Sequence, residues 1–435
     1  MRIPRRRLLA GLLAAPLIAR AQPALLFSQA IELSGPAGRA GDAWRNGVEM
    51  ALQEINAAGG VLGQQLQVLT FDSNNGRAAV QRALEGDVFA LLGPVTSESA
   101  HMAAPLARAA RIANITGADA TDLTAPGGSL FRAGPGPAVR MPRLAAWLRG
   151  GLTAHRVSLV WTNNEFGRGG RDLLAHELQA HGVEVASDHG VVPGPAGYAA
   201  EVAAVARAAP DAAVIYLPEA ECVHFLVEAQ RQALHVPLVG DTTLAAPRVL
   251  AQVGAAANGV RCHMGFAAEA PEVAAFRARY LDSFKEEPDG PAAKGYTAVG
   301  MLAAGAVRMG RPDRAGLAEA LHGLTLHAGG PAVILDASWD MAGEMDRATF
   351  LVEVREGKAS VVATLTGRGN RRACFLVAGR HAADDHVAAG QVGQAADGFS
   401  EIRRTPPSGN GRGRRHGRRW RRQGKRGQEC SAAYP

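Results

Sequence analysis

Two short polar turns carry the residues of this sequence best suited to chemistry. The first, Thr96-Ser97-Glu98-Ser99, follows the apolar run 88–92 and Gly93-Pro94, and it leads into Ala100-His101-Met102-Ala103-Ala104. A hydroxyl N-cap and an acidic first turn announce a helix whose first backbone N–H groups lack intrahelical partners. The second, Thr116-Gly117-Ala118-Asp119-Ala120-Thr121-Asp122, follows a strand predicted over 111–115. Hydroxyls beside free N–H groups suit the holding of an anion or a carbonyl oxygen. Ser and Thr at helix starts are more often plain caps, so the surrounding order of elements has to decide. Covalent chemistry is disfavoured: Ser97 and His101 stand one helical turn apart, with no orienting acid or nucleophile elbow.

That order is regular. A strand at 25–33, a helix carrying Trp44, Val48, Ala51, Leu52 and Ile55 at helical spacing, a strand at 66–71 and a helix at 78–84 precede the two turns. A short strand at Phe131-Arg132 completes a βαβαβα pattern, the sign of a doubly wound parallel sheet with ligands at its C-terminal strand edge. Gly134-Pro135-Gly136-Pro137 reads as a linker rather than a phosphate loop. The alternation then restarts, with strands at 157–161, 183–191, 213–217 and 236–239 between helices at 168–180, 198–208, 220–234 and 247–253. A crossing strand at 259–262, helices at 272–284, 292–309 and 314–324, and a hairpin at 349–355 and 360–365 finish the folded part. The fold class is therefore α/β, two doubly wound Rossmann-like lobes joined by a hinge. The first lobe takes 22–134 plus 263–333, and the second takes 135–262 plus 334–366.

The two ends of the chain stand apart from this body. Arg2, Arg5, Arg6 and Arg7 precede an apolar run at 8–18, and Ala19-Arg20-Ala21 supplies a small-x-small site, so 1–21 reads as a secretory signal with Gln22 as the mature start. The run is too short for a membrane span, the arginine pair leaves the Sec and twin-arginine routes both open, and a free periplasmic protein is expected. The net charge of +7 comes from this leader and from an arginine-rich tail, 367–435. The body between them is acidic on balance, which offers no footprint for nucleic acid or an anionic membrane. The tail is too poor in apolar residues to fold and reads as disordered, and an out-of-frame reading of a GC-rich gene yields such a composition. Cys222, Cys262, Cys374 and Cys430 have no metal-ligand spacing, so no metal or cofactor is expected. Cys222 with Cys262 could pair, against the alternative of buried free thiols. His224 and His263 read as structural histidines.

Several strings carry a resemblance. Leu33-Ser34-Gly35-Pro36, Asn46-Gly47, Glu54-Ile55-Asn56-Ala57-Ala58-Gly59-Gly60-Val61-Leu62-Gly63, Gly93-Pro94 with Ser97, and Ala118 to Thr121 resemble the type I periplasmic binding proteins of branched-chain amino-acid importers. The similarity runs over about residues 24 to 365 and has no counterpart in the tail. It implies a two-lobed clamp that closes on a small ligand and delivers it to the permease subunits of an ABC transporter. By the same resemblance Ser97, the Ala118 carbonyl and Thr121 hold the ligand's carboxylate and amino group, Phe166 packs on the ligand, and Asp241 accepts its ammonium. Two positions depart from the family: Ala40 where a first-lobe aromatic is expected, and Glu219 in the second lobe. Both alter the pocket, speak against leucine, isoleucine or valine, and leave amides, polar amino acids or aromatic acids within the wider class of amino acids, amides and small carboxylates. A sensing receptor or regulator domain on the same clamp is the alternative, and an effector domain would mark it.

Overall fold

Apolar runs closed by Gly or Pro, each followed by an amphipathic stretch, settle into parallel strands covered on both faces by helices. The computed structural model describes residues 23–367, apart from Pro193, Pro195 and Ala196, together with the strand Phe375–Val377. The expected signal and most of the expected tail lie outside the described residues. The first lobe runs β1 (Leu25–Ile31), α1 (Gly38–Ala57), β2 (Leu66–Asp72), α2 (Arg77–Ala83), β3 (Ala90–Leu92), α3 (Ser97–Ala109), β4 (Ala113–Thr116) and β5 (Leu130–Arg132). Its strands lie in the order β2-β1-β3-β4-β5, all parallel.

The Gly/Pro run does more than link. Gly136 is an N-cap and Pro137 opens α4 (Pro137–Gly150), where the missing N–H of proline costs nothing. The second lobe follows with β6 (Arg156–Thr162), α5 (Glu165–Ala180), β7 (Glu184–Val191), α6 (Ala199–Ala208), β8 (Ala212–Tyr216), α7 (Glu219–Arg231), β9 (Leu238–Gly240), α8 (Pro247–Val253) and β10 (Arg261–Met264). The chain then crosses back through α9 (Ala274–Phe284), α10 (Gly290–Met309) and α11 (Leu317–Leu321). Helix α10 packs directly on α1: a Cβ at Gly47 would fall 2.0 Å from the Ala292 carbonyl oxygen, and one at Gly295 would fall 2.2 Å from that of Trp44. Only glycine permits this approach.

Segment 325–347, where the sequence offered no strand, forms a small antiparallel sheet of β11 (Thr325–Leu326), β12 (Ala337–Trp339) and β13 (Met345–Arg347). The chain from 334 thus makes β12 and β13 beside β11 before it rejoins the larger sheet at β14 (Thr349–Arg355), followed by β15 (Lys358–Leu365) and β16 (Phe375–Val377). The larger sheet has the order β16-β15-β14-β10-β9-β8-β6-β7, parallel from β7 to β10 and antiparallel beyond. Strand β16, from the segment beyond 366, pairs with Ala363 to Leu365. In both lobes the strand order reverses beside the first strand, which opens a crevice at the C-terminal strand ends. Cys222 and Cys262 are buried free thiols. No described helix is long and apolar enough to cross a membrane.

Candidate ligand-binding cleft

The C-terminal strand ends of the two lobes face one another across a cleft of ≈ 270 Å³. Val95, Thr96 and Ser97 line it from the start of α3, Gly117 and Asp119 from the loop after β4, and Phe166 and Thr242 from the second lobe. A second space of ≈ 20 Å³ shares Arg140 with it and is lined by Leu159 and Tyr216, room for little more than a water.

The start of α3 already has an anion. Glu32, 1% exposed, accepts from the Val95 and Thr96 N–H groups at 3.0 and 3.2 Å and from Thr96 Oγ1 at 2.6 Å. Thr96 is the N-cap, and its hydroxyl accepts from the Ser99 N–H at 3.4 Å. Ser97, one residue on, lines the cleft, and its Oγ accepts from the Ala120 N–H at 3.0 Å. A serine hydroxyl that accepts one bond keeps its own proton to donate. His101 meets the Ser97 carbonyl and Asp122 Oδ1, both at 2.8 Å, so the acid beside His101 that the sequence did not offer is Asp122.

The other residues singled out on sequence fall in three places. Phe166, half-buried, sits in the wall and stacks on Tyr216 at 4.5 Å and 21°. Thr121 is exposed at the lip, where the lobes nearly touch: a Cβ on Gly169 of α5 would fall 2.4 Å from Thr121 Oγ1. The Ala118 carbonyl, the Asp241 carboxylate and Glu219 are placed otherwise. The Ala118 and Ala120 carbonyls accept from Arg132 Nη1 and Nη2 at 2.7 and 2.5 Å, and Arg132 is anchored in turn by Glu344 at 2.6 Å. Asp241 accepts from Arg140 Nη1 at 2.5 Å and caps its own turn through the Thr242 N–H at 2.7 Å. Glu219 is exposed in the first turn of α7.

Charge in the cleft comes from residues the sequence did not mark. Lys294 of α10 donates to Asp119 Oδ1 at 3.0 Å and to the Gly117 carbonyl at 2.7 Å. Arg140 of α4 lies 3.4 Å from Asp119 Oδ2. A chain Lys294–Asp119–Arg140–Asp241 thus runs from the first lobe to the second. Burial would raise the Asp119 carboxyl, but Lys294 and then Arg140 and Arg132 hold it below the usual carboxylate range. Arg347, 4% exposed, lines the same cleft with weak bonds to Thr297 Oγ1 at 3.4 Å and the Gly265 carbonyl at 3.2 Å. Its Nε has no partner, and among the described residues no carboxylate pairs with it. Burial pushes its guanidinium down to about 10, still charged at neutral pH. Asp119 stood in the polar turn as one residue among several. Lys294 and Arg347 lie in a helix and a strand end with no local signal, and Arg140 lies in a helix hidden behind a Gly/Pro run.

A periplasmic binding protein family model matches residues 30–359. The chain belongs to that family. The binding protein is accordingly a solute-binding component of an importer and not an enzyme. It is 25% identical over 311 residues to a leucine-, isoleucine-, valine-, threonine- and alanine-binding protein of Pseudomonas aeruginosa, covering 67% of this chain and 80% of the relative. Two solved structures share its fold. A branched-chain amino acid substrate-binding protein of Streptococcus pneumoniae in complex with isoleucine has 23% identity and a TM-score of 0.66, covering 78% of this chain and 99% of that one. A solute-binding protein of R. palustris in complex with benzoate has 19% identity and a TM-score of 0.65, covering 80% and 99%.

Proposed function

We propose that this chain captures a small amino-acid-like, amide or carboxylate solute between its two lobes and presents the closed form to the permease subunits of an ABC importer. The observation that carries the reading is the cleft itself, walled by the C-terminal strand ends of two separate sheets and crossed by an ion-pair chain from Lys294 to Asp241. A ligand touching both walls adds contacts only the closed arrangement offers, which is how binding becomes a shape the permease can read. Ser97, Thr121 and Phe166 serve the ligand in this reading. The protein works in the periplasm once the leader 1–21 is removed.

A thermal-shift panel of amino acids, amides and small acids, followed by solution scattering with each hit, tests the clamp. A ligand of the folded clamp raises its melting temperature and lowers the radius of gyration. Hits that leave the radius unchanged would remove the clamp. N-terminal sequencing of the exported protein should begin at Gln22, and a full-length cytoplasmic product would remove the periplasmic assignment.

A further inference from the structure

We infer that the cleft takes an organic acid that carries no ammonium group, with its carboxylate on Arg347, rather than a zwitterionic amino acid. The inference rests on the clamp reading above and narrows its ligand.

The charge balance of the walls comes first. Three cations line the cleft, Arg140, Lys294 and Arg347, against one acid, Asp119, which is already shared between Lys294 and Arg140. Asp241, behind the wall, is bound to Arg140. Counting it too, one cation remains, and that cation is Arg347, buried with Nε unpartnered. A buried charge without a counter-ion is costly unless something supplies one. A planar carboxylate suits a guanidinium in that position.

The acceptors come second. An ammonium needs carbonyl or carboxylate oxygens, and those of the cleft already accept from the protein's own cations, which a further cation would have to approach: Ala118 and Ala120 bond Arg132, Gly117 bonds Lys294, and Gly265 bonds Arg347. Adding a further positive charge beside Arg140, Lys294 and Arg347 would be repulsive. Apart from the Thr96, Ser97 and Thr242 hydroxyls the remaining side chains of the wall are apolar, with Val95, Pro135, Phe166, Phe266 and Pro291 available to cover a hydrocarbon body.

Three probes of one shape separate the charges: leucine, 4-methylpentanoate, which lacks only the amino group, and leucinamide, which lacks the carboxylate. Benzoate serves as a second acid. Calorimetric titration of the full-length protein should show the acids binding at least tenfold more tightly than leucine, and leucinamide not binding. Arg347→Met should weaken the acids at least tenfold while raising the melting temperature of the ligand-free protein, because a buried unpaired cation is replaced by an apolar side chain of similar length. Arg347→Lys, which keeps the charge, should retain part of the affinity. Leucine binding as tightly as the acids would overturn the inference and leave the clamp standing, as would unchanged acid affinity in a folded Arg347→Met. Silence with every acid and every amino acid would overturn both.

Discussion

The Arg140 guanidinium donates to Asp241 Oδ1 at 2.5 Å, binding α4 to the end of β9 within the second lobe. An acid placed by resemblance to meet a ligand therefore meets a side chain of the protein first. Replacing it should be felt mainly as stability. Asp241→Asn leaves Arg140 with Asp119 alone and removes a buried charge partner, a loss of about 3 kcal/mol. Chemical denaturation should show this loss, while affinity for a small acid is kept or improved. A collapse of affinity with normal stability would return Asp241 to the binding site.

Asp119 sets an acid limit. Its folded pKa lies below its ordinary value of 3.8, so its contribution is present above that value and is lost as pH falls through the folded one. Melting temperatures of the wild type and Asp119→Asn should differ above pH 3.8 and converge as the pH falls below it. A gap that stays constant over this range would show that Asp119 stabilises by shape and not by charge.

Gly169 and Thr121 meet across the lip, so bulk there should wedge the lobes. Gly169→Val is expected to weaken any clamped ligand at least tenfold with little change in the ligand-free melting temperature. Adding Thr121→Ala opens space and should recover part of the loss. The recovery is a coupling between the two sites, read from a double-mutant cycle. Additive effects would mean that the contact plays no part in closure.

Thr96 and Ser97 separate capping from binding. Thr96→Val removes the N-cap acceptor and the donor to Glu32, which costs about 1 to 2 kcal/mol of stability. Ser97→Ala removes the hydroxyl that lines the cleft, and a lost hydrogen bond to a charged ligand group is worth about 1.5 to 3 kcal/mol, roughly ten- to a hundredfold in affinity. Melting curves and titrations on both variants should show opposite profiles. Identical profiles would place both residues in the cap.

The amino-acid sequence by itself determined the periodic part of this protein: two rounds of strand and helix, the turns at 93–99 and 116–122, and the family strings around Asn46-Gly47 and Gly59-Gly60. Those features are legible because backbone sterics and one-sided burial act over a few residues, and each element carries its own pattern. Helix α4 was lost because a proline that opens a helix looks like a proline that ends one, and because Pro142 interrupts its interior. The small sheet at 325–347 was lost because strands of two or three residues are too short to show alternation. Tertiary structure alone decided which polar groups remain for a ligand. Ala118 and Asp241 were expected to accept from a ligand, but Arg132 and Arg140 bond them, Glu32 bonds the start of α3, and among the described residues Arg347 is left buried without a counter-ion. Such pairings join residues up to hundreds of positions apart, and a charge becomes a site only when the partners that could neutralise it have been placed elsewhere.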